Sequence, residues 1–203
     1  MPFFPYNTNL VRRGQSDAAG ILTGLQNTVV YAPGSPVVLD DDYFVASANM
    51  KVGAYTLLLT AMPEAAIARR LLITVTQVGG VDDTMGTLTI VGTDIAGNAL
   101  TESVAPVANS TKLTLNAFKT VSSITGVGWV INTGNDTIKV GTSDSIGLPD
   151  KLSDTAQVLY CSVNNVKEAT APTVTVDAAV LAKNTVDPNT ALGGTPFKVY
   201  YVL

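Results

Sequence analysis

The stretch "GTLTIVGTDIAGNALTESV", residues 86–104, contains two runs of apolar and β-branched residues on either side of a short polar connection. Within the connection, Asp94 can accept backbone hydrogen bonds as an Asx turn, and Gly97 and Asn98 tolerate a positive φ. A hairpin connection of four or five residues requires these properties. A calcium loop of the EF-hand kind would need oxygen ligands at alternate positions, whereas this loop offers one carboxylate. We therefore predict a β-hairpin whose turn holds no metal.

The rest of the sequence repeats this pattern from residue 37 to the C-terminus. Short β-branched runs end in Gly, Asn, Asp or Pro at intervals of about ten residues, which is typical of a sandwich or barrel. One such run is "AYTLLLTAM", residues 54–62. The segment "MPEAAIARR", residues 62–70, opens with a proline and an acid that favour a first helical turn, but its length allows only a short corner helix. We predict an all-β fold, an antiparallel β-sandwich of jelly-roll or Ig-like type with at most one short helix.

The N-terminal residues 1–36 differ from this pattern, because they mix Pro, Asn, Gly, Gln and Ser with isolated apolar residues. We predict an extended N-terminal arm over residues 1–36 and a β-sandwich domain over residues 37–203, which could be subdivided near Pro149. The arm has more apolar content than a disordered linker needs, so it either docks on a partner or packs on its own domain. Aromatic and arginine side chains dominate binding energy at interfaces, and the arm residues predicted to contact a partner are Phe3, Phe4, Tyr6, Arg12 and Arg13.

The composition removes most catalytic and metal-binding chemistry. The chain has no histidine, which is the commonest general base, the commonest zinc ligand and the usual partner of a catalytic Ser or Cys. A glycosidase would need two carboxylates that face each other across a cleft, and no pair among the 16 acidic residues is marked out. A net charge of −4 disfavours direct nucleic-acid binding, which needs an excess of cations. We predict no enzyme activity, no catalytic residue, no metal site and no cofactor.

Three features stay open between a functional and a structural role, while a fourth, the cysteine, is assigned to the core. The carboxylates of residues 40–42 could form a surface calcium site or a solvated loop. Trp129 could stack on a sugar or fill the core. The pair Arg69 and Arg70, like the arginines of the arm, could anchor a partner or pair with acidic loops of the same chain. Cys161, the single cysteine, lies in a strand-like apolar run and is predicted to be a buried, inert thiol.

The sequence also bears on location. The opening "MPFFPYNTNLVRR" lacks a basic region followed by an apolar core, so we predict no secretory signal. No segment reaches the ~18 uninterrupted apolar residues of a membrane helix. We expect a protein that is synthesised in a cytoplasm and binds no membrane.

Several segments between residue 69 and the C-terminus carry a resemblance to a known group of proteins. They are the hairpin quoted above, "FKTVSSI" at residues 118–124, "DTIKVGTSDSIGLP" at residues 136–149 and "KNTVDPNTALGGTPFKVYYV" at residues 183–202. Together they resemble virion structural proteins of tailed bacteriophages, most of which are encoded among head genes.

The resemblance implies a β-sandwich displayed on a phage particle, as a capsid decoration or cement protein that binds over joints between major capsid subunits and stabilises the head. The implied partners are the major capsid protein and neighbouring copies of the chain, and the implied location is the capsid surface of a virion assembled in a host cytoplasm. The alternative is a tail, neck or fibre component, or a surface adhesin, that uses the same sandwich to bind a receptor or glycan.

Overall fold

Thirteen β-strands in three antiparallel sheets make up the described part of the chain, residues 28–78, 86–130 and 135–203 of a computed structural model. The strands are β1 (Thr28–Gly34), β2 (Val45–Asn49), β3 (Arg69–Thr76), β4 (Thr87–Thr93), β5 (Ala99–Val104), β6 (Ser110–Phe118), β7 (Thr120–Val127), β8 (Thr137–Gly147), β9 (Val158–Val163), β10 (Val166–Lys167), β11 (Thr173–Thr175), β12 (Thr185–Asp187) and β13 (Phe197–Val202). The helices within these described ranges are single 3-10 turns at Met50–Val52, Thr155–Gln157 and Leu181–Lys183. The predicted all-β antiparallel fold is confirmed, while the choice between jelly-roll and Ig-like topology stays a prediction.

The hairpin predicted from residues 86–104 is also confirmed, since β4 and β5 pair antiparallel. The Asp94 carboxylate accepts a hydrogen bond from the Asn98 backbone N–H at 2.9 Å, and the Gly97 N–H donates to the Asp94 carbonyl at 3.0 Å. Gly97 has a φ of +87°, which glycine adopts without the steric cost that a Cβ would bring. Turn chemistry that is local in sequence therefore decides this connection.

Two hydrophobic cores separate the three sheets. Sheet A has the strand order β1-β13-β9-β10, sheet B has the order β11-β12-β8-β3-β6 with β2 also on β8, and sheet C has the order β5-β4-β7. Core 1 joins sheets B and C, through residues such as Leu71, Ile73, Leu88 and Ile90. Core 2 joins sheets B and A, through residues such as Ile146, Val186, Cys161, Val199 and Tyr201. Sheet B contributes side chains to both cores and is therefore the shared layer.

Two segments differ from their predicted secondary structure. Residues 62–70 form no corner helix: they run through bends and a turn, and the chain enters β3 at Arg69. Ile67 and Ala68 are both fully buried, and pairing within sheet B outweighs the weak preference of a two-turn helix. Residues 54–62, predicted as a strand, instead follow β7 through isolated bridges at Ala54 and Ala61.

The structure also differs from the predicted extent of the arm. Its last part, residues 28–34, forms β1, which pairs with the C-terminal strand β13 from Thr28 opposite Val202 onward. Val29 and Tyr31 pack against core 2, so this strand belongs to sheet A. The alternation of exposed and partly buried residues in β1 is short and includes Pro33. The sequence therefore shows no sustained period in this segment. Residues 1–27 lie outside the described residues, so the rest of the arm and the possible subdivision near Pro149 stay predictions.

Within the described ranges, no helix is long and apolar enough to cross a membrane.

Candidate interaction surface

A patch of aromatic and aliphatic side chains crosses the outer face of sheet A. Val30 on β1 lies opposite Tyr200 on β13, and Tyr200 lies opposite Tyr160 on β9. The two tyrosine rings are stacked, with their centroids 4.3 Å apart and an interplanar angle of 21°. The Lys167 ammonium lies 4.7 Å from the Tyr160 ring centroid, within range of a cation–π interaction. We call Val30, Tyr160, Lys167 and Tyr200 the tyrosine patch.

Strand alternation places these side chains on the outer face. Successive residues of a strand point to opposite sides of the sheet. Val199 and Tyr201 are completely buried in core 2, so Tyr200 between them faces the other way. Cys161 is likewise buried in core 2, which turns its neighbour Tyr160 outward.

The tyrosine patch is rich in the residue type that protein interfaces favour. Aromatic residues are enriched at protein interfaces, where a rigid ring offers a large contact area. The tyrosines are only partly buried, and Val30 remains 50% exposed. Sequence reasoning did not single out these tyrosines, although the terminal run "FKVYYVL" places aromatic residues on both sides of one strand.

The edge of sheet A next to the tyrosine patch carries no charged side chain. Within the described ranges no strand pairs with the second edge of β1. Edge strands are commonly guarded by charged side chains, prolines or bulges, and β1 has Pro33 and a register shift after Tyr31 but no charge. The regular part of the edge, residues 28–31, is therefore the part that can pair with a strand of another chain.

A second surface feature is an open groove of about 480 Å³, which we call the acidic groove. Its apolar lining comes from residues 37–39 and Pro63, and its polar lining from Asp40, Asp41, Tyr43 and Thr142. Val37, Val38 and Leu39 are 43%, 59% and 40% exposed, a run of three solvent-facing aliphatic side chains.

Buried polar groups hold the groove segment in place. The Glu64 carboxylate accepts a hydrogen bond from the Val37 N–H at 2.5 Å, and the Arg69 guanidinium donates to the Val37 carbonyl at 2.9 Å. Farther along, the Asp40 N–H donates to the Thr142 hydroxyl at 3.0 Å and the Thr142 N–H donates to the Asp40 carbonyl at 2.7 Å. Both ends of the segment are therefore attached to sheet B.

The acidic rim of the groove contains the three consecutive carboxylates that the sequence left open. Oxygens of Asp40, Asp41 and Asp42 lie within 4.8 Å of one another. Lys139 pairs with Asp41 at 3.3 Å and with Asp42 at 3.9 Å. A hydrogen bond with Asp40, followed by burial and by repulsion from the Asp40 charge, raises the pKa of Asp42. Exposed carboxylates of this kind are common without an ion, so the cluster alone assigns no metal.

Tyr43 lies in the lining of the groove beside these carboxylates. Burial, and then the charges of Glu64 and Asp40, raise the pKa of Tyr43, while the charge of Arg69 acts in the opposite direction.

The remaining sequence candidates fall into structural roles. Arg69 is completely buried and bonded within the chain, and Arg70 is partly buried, with its Nε donating to the Thr114 carbonyl. Both arginines are thus engaged in intramolecular contacts. Cys161 is completely buried, and burial followed by the charge of Glu168 raises its pKa to about 12, so the prediction of a buried thiol is confirmed.

Trp129 lies at the margin of core 1, where its partly buried ring packs against the cluster. A Cβ added to Gly126 would lie 2.0 Å from the indole nitrogen, so the ring depends on a glycine at that position. This contact agrees with the core alternative for Trp129 and leaves glycan stacking untested.

A pair of carboxylates that the sequence did not mark out lies on neighbouring strands β8 and β12. Burial raises the pKa of Asp144, and burial followed by the Asp144 charge raises the pKa of Asp187. The Arg70 guanidinium acts in the opposite direction on Asp187. Carboxylates with a raised pKa occur both at catalytic sites and in structural ion networks, and the neighbouring arginine favours a network here.

The predicted partner-binding residues Phe3, Phe4, Tyr6, Arg12 and Arg13 lie outside the described residues. Comparison of the chain with protein-family models, with curated proteins and with solved structures gives no match.

Proposed function

We propose that this chain is a non-enzymatic structural component of a tailed-phage virion, a decoration or cement protein that binds over major capsid subunits and stabilises the head. The observation that carries the proposal is the tyrosine patch beside the uncharged edge of β1. A passive assembly protein needs an adhesive surface rather than a reactive one, and this face combines exposed aromatic and aliphatic area with an unpaired strand edge.

The binding mode follows from the geometry of sheet A. A strand of a capsid subunit or of a neighbouring copy would pair with β1 beside Val30, and another part of the same partner would cover the stacked tyrosines on β13 and β9. Backbone hydrogen bonds supply affinity in such strand addition, while side-chain contacts on the face of the sheet supply specificity. Many copies on one particle would turn a modest single contact into strong overall attachment.

The chemistry of the described residues supports a structural role in a second way. The chain lacks histidine, the commonest general acid or base, and its one cysteine is buried. Arg69 and Arg70 are bonded within the fold.

The test is a binding assay with capsids of the phage that encodes the chain, expanded and prepared without this protein. We expect purified protein to co-sediment with the capsids to saturation and to raise the temperature at which they release DNA. A Val30→Lys variant places a charge on the patch and should weaken binding at least about tenfold, which corresponds to about 1.4 kcal/mol.

The matched control is Val127→Lys on β7, because Val127 is 63% exposed and lies on sheet C. It should fold and bind as the wild type does, and unfolding midpoints of both variants would confirm that they are folded. Equal binding by Val30→Lys, or no binding by the wild type, would overturn the role of sheet A. Recovery of the protein solely in purified tails would instead support the tail, neck or fibre alternative.

A further inference from the structure

The acidic groove joins an aliphatic surface to an excess of negative charge. Residues 37–39 expose three aliphatic side chains, and residues 40–42 carry three carboxylates, of which Asp41 and Asp42 pair with Lys139 while no ion pair to Asp40 occurs in the described part of the chain. Glu64 adds no further excess of negative charge, because the buried guanidinium of Arg69 pairs with its carboxylate at 2.8 Å. An occupant of this groove should therefore be apolar at one end and positively charged at the other.

The chain itself contains a segment with this pattern. Residues 10–13 read Leu-Val-Arg-Arg, and the groove segment, residues 37–42, reads Val-Val-Leu-Asp-Asp-Asp. Placed side by side in the same direction, the two segments would match aliphatic with aliphatic residues and arginines with carboxylates. Arginine is well suited to such a contact, because its planar guanidinium can bind a carboxylate through two hydrogen bonds.

No other arginine can take this role. The chain has four arginines, and Arg69 and Arg70 are already bonded inside sheet B. Arg12 and Arg13 are the remaining pair.

The length of the intervening chain permits the contact within one molecule. Residues 14–27 separate Arg13 from β1, and fourteen residues can span up to ~46 Å at about 3.3 Å per residue. Thr28 and Val37 are nine residues apart in sequence, so they are at most ~30 Å apart by the same measure. A tethered segment that can reach its site has an effective concentration in about the millimolar range. In dilute solution the segment of the same chain is therefore favoured over the same segment of a second molecule.

We propose that the acidic groove binds residues 10–13 of the same chain, with Leu10 and Val11 against residues 37–39 and with Arg12 and Arg13 against Asp40 and Asp41. This contact covers the exposed aliphatic run and neutralises the carboxylate excess. It does not depend on the proposed role in a virion, and capsids play no part in its test.

The test uses the full chain with a nitroxide label on an Asn9→Cys variant. The native Cys161 is completely buried and does not compete for the label. Amide signals of residues 37–42 are recorded by NMR at low salt, with the label oxidised and then reduced. We expect the oxidised label to remove most of the intensity of these signals, and 0.5 M salt to restore a large part of it because the contact is ionic.

Two charge variants test the contact from both sides. Arg12→Ala/Arg13→Ala in the arm and Asp40→Asn/Asp41→Asn in the groove should each restore the signals to at least half of their intensity. Asparagine keeps a side-chain oxygen that can accept the hydrogen bond from Asp42 N–H, so the loop should retain its shape. Asp150→Asn/Asp154→Asn is the matched control, because it removes two charges from carboxylates that do not line the groove and should leave the broadening unchanged.

A mixed sample separates the same chain from a second copy. Isotope-labelled protein without nitroxide is combined with nitroxide-labelled protein at natural isotope abundance, and we expect no broadening. Broadening that persists in this mixture would assign the groove to a neighbouring copy and overturn the proposal. Undiminished signals in the wild type at low salt, or broadening that survives both charge variants, would overturn it as well.

Discussion

The guanidinium of Arg69 donates to the carboxylate of Glu64 at 2.8 Å, and the Arg69 side chain is completely shielded from solvent. The same guanidinium donates to the carbonyl of Val37 at 2.9 Å and to that of Ser143 at 3.3 Å. One buried charge thus connects the start of β3 with the acidic groove and with β8. Removing one partner of a buried ion pair leaves the other uncompensated, which makes such pairs expensive to break.

We expect Arg69→Ala to lower the free energy of unfolding by about 3–5 kcal/mol, measured by urea denaturation. The control is Lys183→Ala, which breaks the exposed pair of Lys183 and Asp177 at 3.3 Å. Exposed pairs contribute about 0–1 kcal/mol, so this variant should unfold close to the wild type. Similar losses in the two variants would contradict the buried role of Arg69.

Asp187 and Asp177 should affect the pH dependence of stability with opposite signs. Burial raises the pKa of Asp187 in the folded state. The contribution of Asp187 to the free energy of unfolding is therefore fully present below the pKa of the unfolded state, and it is lost as pH rises through the pKa of the folded state. Hydrogen bonds from the backbone N–H groups of Val180 and Ala179 lower the pKa of Asp177. Its contribution is therefore present above the unfolded pKa and lost as pH falls through the folded pKa.

The measurement is the urea midpoint of Asp187→Asn and Asp177→Asn at pH 3 and at pH 7. We expect Asp187→Asn to be more stable than the wild type at pH 7 and to lose that advantage at pH 3. Asp177→Asn should be less stable than the wild type at pH 7, with the difference reduced at pH 3. A shift of the same sign in both variants would rule out this assignment.

The Cys161 thiol should be unreactive in the folded protein. Its pKa of about 12 leaves almost no thiolate at pH 8, and the side chain has no exposed surface. We expect a thiol-reactive dye at pH 8 to label Cys161 only at the rate of unfolding, and to label it fully and at once in denaturant. Rapid labelling of the native chain would show that core 2 opens readily.

Gly97 and Gly193 provide a matched test of backbone strain in the hairpin. A Cβ would meet no atom within 4 Å at either position, but only Gly97 has a positive φ, of +87°. Gly97→Ala should therefore cost about 1 kcal/mol or more, whereas Gly193→Ala should be neutral or slightly stabilising through the unfolded state. Thermal unfolding of the two variants checks the difference, and equal losses would contradict the turn geometry.

The hairpin at Asp94 and the all-β class were predictable because both depend on interactions between residues close in sequence. Asx-turn chemistry, glycine at a positive φ and the alternation of β-branched residues need no knowledge of distant partners. The same local reasoning was wrong at residues 62–70, where pairing with sheet B outweighed the local preference, and it left open the packing of β1, which pairs with β13.

The tertiary structure decided which side chains meet. Val30, Tyr160 and Tyr200 come from three separated parts of the chain and form one patch only because β1 and β9 both pair with β13. The adjacent residues Arg69 and Arg70 read alike in the sequence, yet one is completely buried beside Glu64 and the other only partly buried beside Thr114. Composition and turn residues determined the kind of fold, whereas strand order and register, set by burial of two shared cores, determined its surfaces.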